Sequence, residues 1–125
     1  MAIEQSAIMD LSQAIDKHAE WKVKFRKAIS GHETMDAETI AKDNCCELGK
    51  WLHGAAKVKY GHLASHSECV KKHATFHTEA SKVAQAINAK NFVKAEAMIA
   101  SDTPYSTASN EVGVAIGKLK KESGL

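Results

Sequence analysis

A single proline, Pro104, stands in the 125 residues, and on either side of it apolar side chains recur at steps of three and four. A half-buried strand needs alternation, with β-branched residues set against polar ones, and that pattern is missing throughout. Amphipathic helices are what remains. Ile8, Leu11, Ile15, His18, Lys22, Phe25 and Ile29 form one seam, predicting a first helix from about Glu4 to Ile29, with Ser30-Gly31-His32 as its stop.

Asp36 to Lys42 reads as a short helix. Asn44 is expected as the N-cap of another, with Glu47 in the capping-box position and Gly54 ending it after Leu48, Trp51 and Leu52. A long helix follows from about Gly61 to Asn88, then a turn at Asn88-Ala89-Lys90-Asn91 and a helix from Phe92 to Ala100. Asp102-Thr103-Pro104 supplies a cap with proline at the first helical position, ahead of a last helix carrying Tyr105, Ala108, Val112, Ile116 and Leu119. The expected fold is all-α: an antiparallel four-helix bundle with one short extra helix carrying Cys46, as a single domain over residues 1–125. Gly113 and Gly117 are expected to mark a close helix contact.

Seventeen basic and fifteen acidic residues leave a formal charge of +2, too small for nucleic acid or an acidic membrane face as partner. No apolar run approaches a membrane span, and the first residues lack a basic segment followed by an apolar one. Three cysteines, two adjacent, make a poor disulfide framework, so a reducing, cytoplasmic setting with free thiols is expected.

Chemistry concentrates in the seven histidines and the cysteines. His73 and His77 lie one helical turn apart on one face, so both imidazoles can reach one metal. By itself H-x-x-x-H is a weak pattern, and Ala74 stands where a metalloprotease needs its glutamate base. His18 sits in the seam of the first helix; a lone histidine there is often a satisfied core residue, but several buried imidazoles need a common explanation. Cys46 falls near a helix start, where unpaired N–H groups favour a thiolate; the bland reading is a small buried hydrophobe. Gly49, one turn on, leaves room for another helix. Together His18, Cys46, His73 and His77 make an N₃S set that suits Zn²⁺.

His18-Ala19-Glu20-Trp21, Cys46-Glu47-Leu48-Gly49-Lys50-Trp51 and His73 to His77 together resemble the chemoreceptor zinc-binding (CZB) domain family over nearly the whole chain. The resemblance implies that the four matching positions are zinc ligands and that the fold is a four-helix bundle that usually forms a homodimer. It also implies a regulatory domain of bacterial signal transduction, attached to a chemoreceptor or diguanylate cyclase. Such a domain reports zinc, or oxidants such as hypochlorous acid that attack the zinc-bound thiolate. Neither a receptor coiled coil nor a cyclase domain lies in these residues. No enzymatic activity is expected.

Other readings remain open. A hemerythrin-like di-iron bundle needs bridging carboxylates, and Glu20, Glu47 and Glu79 lie off the seams; a zinc hydrolase needs an open coordination position and a base. His62, His66 and Cys69 share a stripe roughly 80° wide with His73 and His77, so a second metal site there is conceivable. Cys45 points about 100° away from Cys46 around a helix. Cys69, one turn before His73, is a candidate resolving thiol for an oxidised Cys46. Asp16, Glu20 and Glu79 are candidate outer partners of the imidazoles, and Trp21, Trp51, Phe25 and Phe76 are expected to pack around the site. Spare apolar positions at Ile3, Ile8 and Met9 suggest a symmetric dimer.

Overall fold

The computed structural model describes residues 9–125, and every regular element in that span is a helix. In chain order these are α1 (Leu11–Ala19), α2 (Trp21–Gly31), α3 (Ala37–Ile40), α4 (Glu47–His53), α5 (Ala55–Tyr60), α6 (Ala64–Asn88), α7 (Phe92–Met98) and α8 (Pro104–Ser123). The all-α class therefore holds.

The first predicted helix is divided at Glu20. The backbone there stays in the helical region, and the Glu20 N–H still donates to Asp16 O at 3.0 Å, so α2 continues from α1 with little interruption. The expected start near Glu4 lies outside the described residues. Asp10 caps α1 by accepting from the Gln13 N–H. At the far end His32, not a glycine, takes the left-handed conformation (φ 53°) that stops α2.

Three partners set the register of the long elements. Lys72 meets Glu111 at 2.8 Å, Glu68 meets Lys118 at 3.6 Å, and the Ser65 N–H donates to Glu122 at 3.3 Å. Positions climb on α6 as they descend on α8, so this pair is antiparallel. The Ser65 contact also supplies α6 with a carboxylate at its start, where its own N-cap Leu63 has none. Lys120 reaches Ser12 at 2.6 Å, and Ile15 and Ala19 flank a groove with Asn110 and Gly113, so α1 is antiparallel to α8 as well. Both pairs are compatible with the expected antiparallel bundle, and the short α7 packs on α2, α6 and α8. Leu11, Phe25, Phe76, Val83, Ile87, Val112, Ile116 and Leu119 fill the centre, each contributing roughly 1.5–3 kcal/mol by its burial. Trp21 and Trp51 pack against this core while half-buried.

Between α2 and α6 the sequence-based expectations need correction. Asn44 is not the N-cap of α4: Cys46 is, and its own sulfur accepts from the Gly49 N–H at 3.3 Å. Glu47 is then the first helical residue and pairs with Lys17. Gly49 makes room, but for its own chain and not for another helix. A Cβ there would sit 1.7 Å from the Asp43 carbonyl oxygen, so only glycine lets residues 43–44 fold back over α4. Residues 55–60, for which the sequence predicts no element, form the separate α5, and α6 starts at Ala64, three residues after the expected Gly61. Gly113 and Gly117 mark no close contact, since a Cβ at either meets nothing within 4 Å.

The whole run from Met35 to Leu52 lies along α6 in antiparallel order. Met35 exchanges two 2.7 Å hydrogen bonds with Asn88, Ser81 donates to Ala37 O at 3.0 Å, His77 donates to Ile40 O at 2.8 Å, and His66 donates to Leu52 O at 2.9 Å. The glycines make this arrangement testable. Gly49→Ala should destabilise the protein by about 1–3 kcal/mol through overpacking. Gly113→Ala and Gly117→Ala, in open helical positions, should be neutral or stabilise by about 0.5–1 kcal/mol. Urea denaturation of the three variants checks this, and equal effects at all three positions would contradict it.

Candidate metal centre

Four side chains from three stretches of chain converge beneath the Met35–Leu52 segment. His18 comes from the seam of α1, Cys46 from the start of α4, and His73 and His77 from successive turns of α6. One ligand atom from each lies within 4.8 Å of all the others. Cys46 Sγ is 3.2 Å from His73 Nε2 and 3.6 Å from His77 Nε2, and the two imidazole nitrogens are 3.0 Å apart. A tetrahedral zinc with ordinary Zn–N and Zn–S bonds has N···N and N···S edges of about 3.3 and 3.6 Å. The edges among Cys46, His73 and His77 are close to these values, and the donor types of all four residues suit zinc.

Backbone carbonyls orient two of the rings. His18 Nδ1 donates to Ala14 O at 2.7 Å and His77 Nδ1 to Ile40 O at 2.8 Å. A carbonyl can only accept, so both protons sit on Nδ1 and both Nε2 lone pairs are left for a metal. The expected acidic outer partners are absent from these contacts: Asp16 and Glu20 are exposed, and Glu79 pairs with Lys82. His18 Nε2 and His73 Nδ1 are buried with no hydrogen-bond partner among the described residues. For His18 the unpaired atom is the one free to bind a metal.

Burial governs the protonation of all four groups. It holds His18 and His77 below the usual histidine range and takes His73 down to about 2, where its neighbours His77 and His18 add to the effect. The imidazoles are therefore neutral, the form a metal binds. At Cys46 the helix-start N–H groups of Gly49 and Leu48 lower the thiol pKa, as the sequence suggested, but burial outweighs them and the net shift is upward. Without metal this cysteine is a thiol.

Cys46 is half-buried where the three histidines are almost fully covered. An open groove of about 900 Å³ between α1 and α4, flanked by Trp21 and Trp51, has Cys46 and His18 in its wall. The remaining residues singled out in the sequence are elsewhere. His66 spends its ring on Leu52 O, His62 is exposed, and Cys69 is sealed in the core with its thiol pushed up to about 12, so they form no second cluster. Cys45 is exposed and faces Asn44. His53 pairs with Asp43 at 2.9 Å, and His32 stacks on Phe92. The roles of Ala14 and Ile40 have no signature in the letters, because backbone carbonyls are common to every residue.

A family model described as the chemoreceptor zinc-binding domain matches residues 18–84, more than half of the chain and a span that includes all four clustered side chains. The chain belongs to that family. It is accordingly a zinc-binding domain of the chemoreceptor-type signalling class, regulatory in kind, with Zn²⁺ as its cofactor. No curated protein and no solved structure matches it.

The buried neutral histidines set a pH dependence for the metal-free protein. An unfolded chain takes up their protons near 6.5, whereas the folded chain resists until lower pH, at His73 until about 2. The unfolded state binds more protons in that window, so stability falls as pH drops through 6.5. The urea midpoint of chelator-treated protein should be lower at about pH 5 than at about pH 7.5, by up to about 1.4 kcal/mol per pH unit for each histidine. An unchanged midpoint would contradict the buried, neutral assignment.

Proposed function

We propose that the chain holds one Zn²⁺ through His18 Nε2, Cys46 Sγ, His73 Nε2 and His77 Nε2, and that it signals by the state of that site. The observation that carries this reading is the convergence of four donor atoms within 4.8 Å, two of them on rings already set in the metal-binding tautomer. Zinc, when bound, supplies the charge that keeps Cys46 as a thiolate. The chain's own contribution is to keep the three imidazoles neutral, aim them inward, and present the sulfur from a groove open to solvent.

That exposure supports a sensory role for Cys46 toward oxidants such as hypochlorous acid, which convert a thiolate to sulfenic acid, a poor ligand. Within the chain Cys69 is the resolving thiol to consider. It is fully buried with its pKa pushed up to about 12, so a Cys46–Cys69 disulfide requires the core around it to open first. Cys45 is adjacent, and neighbouring Cα atoms about 3.8 Å apart are short of the roughly 4.4 Å a disulfide needs.

The site favours this reading over the alternatives. A di-iron centre needs carboxylates, and none of the four residues is one. A hydrolase needs an open position, and four protein ligands close the shell. We assign the domain to the cytoplasm, where free thiols persist; no helix among the described residues is long and apolar enough to cross a membrane. Its signalling partner is a chemoreceptor or diguanylate cyclase module, and its assembly a homodimer. Ile3 and Ile8, two of the residues that suggested a dimer, lie outside the described residues, and Met9 packs against the core. The exposed Val114 and Val23 offer apolar surface in their place.

Metal analysis of native protein should give one zinc per chain. Cys46→Ala should weaken zinc binding about a hundredfold or more, because about 10–16 kcal/mol of apparent binding free energy is shared among the ligands of such a site. Cys45→Ala and His32→Ala should bind as wild type. Undiminished affinity in Cys46→Ala would overturn the site. For the sensory role, hypochlorous acid should release zinc from wild type with oxidation confined to the tryptic peptide Asp43–Lys50. Zinc retained under such treatment would leave the metal structural. Linkage of that peptide to Tyr60–Lys71 would establish Cys69 as the resolving thiol.

A further inference from the structure

The segment that carries Cys46 is fastened to α6 at points that never touch the site. His66, 6 % exposed, donates from Nε2 to the carbonyl of Leu52, which is fully buried near the end of α4. That carbonyl is one of the last in its helix and has no partner further along the helix. Helix α4 is thus pinned at both ends, through Cys46 at its start and through His66 at its finish. At the opposite end of the segment Asn88 grips both the N–H and the carbonyl of Met35 at 2.7 Å.

We propose that His66 and Asn88 are positioning residues for the metal centre: they keep the Met35–Leu52 segment docked before zinc arrives, so that Cys46 waits within reach of the three histidines. This rests on the reading that Cys46 is a ligand. The argument follows from where the ligands are attached. His18, His73 and His77 belong to helices that the hydrophobic core holds together without metal. Cys46 belongs to a run of short helices that joins the core through three buried large side chains, Ile40, Leu48 and Leu52, a smaller apolar face than those of the long helices. If that run is docked only part of the time, apparent zinc affinity drops by the docked fraction. Each clamp raises that fraction. Removing the His66 donor also strands a buried carbonyl in the docked form.

The test measures zinc affinity of the full chain by chelator competition, together with hydrogen exchange of the zinc-free protein. His66→Phe keeps a ring but has no donor, His66→Gln keeps a donor, and Asn88→Ala removes the second clamp. His66→Phe should weaken zinc binding about tenfold, the scale of one buried hydrogen bond, and Asn88→Ala, which removes two exposed ones, about threefold or more. His66→Gln should recover most of the loss. Zinc-free His66→Phe should exchange faster in peptides covering residues 43–53 while α6 and α8 keep wild-type protection. Wild-type affinity in both His66→Phe and Asn88→Ala would overturn the proposal, as would a loss in His66→Gln equal to that in His66→Phe. Should His66→Phe fail to fold, Asn88→Ala decides alone, and wild-type affinity in it refutes the idea. Cys46→Ala binding zinc normally would instead show that the site itself is misassigned, and positioning would fail with it.

Discussion

Three imidazoles and a thiol have been taken out of water into one small space, and the rest of the structure depends on that concentration of polar atoms. Each group loses hydration on burial, and the protein returns only part of it: a carbonyl for His18, a carbonyl for His77, nothing on the outer nitrogen of His73. The rings lie 4.4 to 5.8 Å apart, packed edge to face with each other and with Phe76. A metal is the natural remedy, because one ion supplies a partner to all four groups at once. The charge it brings is best met by a thiolate, the form Cys46 would take as a ligand.

The stable part of the molecule is built to carry that burden. Helices α1, α2, α6 and α8 share a core of large side chains that excludes water independently of the site. Polar contacts then fix their order: Lys72 with Glu111, Glu68 with Lys118, Ser65 with Glu122. Most of these are exposed pairs worth little individually. Their value is in register, since a slip of α6 against α8 would carry His73 and His77 away from His18.

How much of this was legible in the sequence follows from the physics of each feature. The long helices were, because burial of one helical face imposes a period that survives in the letters; α6 was placed to within three residues at each end and α8 at its start on Pro104. The four clustered side chains were also legible, since ligand types are few and helical spacing says which ones share a face. Around Cys46 the reading failed. Asn44 and Glu47 make a good capping box locally, yet the fold-back of residues 43–44 over Gly49 shifts the cap to Cys46, and that contact is tertiary. The same holds for His66. Its place in the stripe with His73 was visible, but its partner is a carbonyl, which has no letter. The sign of the Cys46 shift was missed for a related reason: a helix start can be read from sequence, whereas the burial that outweighs it cannot.

The division of the four groups between framework and attached segment bears on how such a site can report. Three belong to helices that the core holds in place, so their positions change little whether metal is present or not. The fourth is the only one on the short-helix segment, the only one half-exposed, and the only one whose chemistry an oxidant changes. Had the thiol been on α6, its oxidation would leave the backbone where it was, because α6 is fastened to α8 along its length. Placed at the N-cap of α4, its state bears on the whole run from Met35 to Leu52, whose remaining ties are the buried Ile40, Leu48 and Leu52 and hydrogen bonds to α6 at Asn88, Ser81, His77 and His66. One of these, His77 to Ile40, also orients a proposed ligand, so displacement of the segment frees a ring as well as removing a sulfur. Binding and docking are in this way two expressions of one equilibrium, and any ligand or reagent that favours one state of Cys46 must shift the segment by the same free energy.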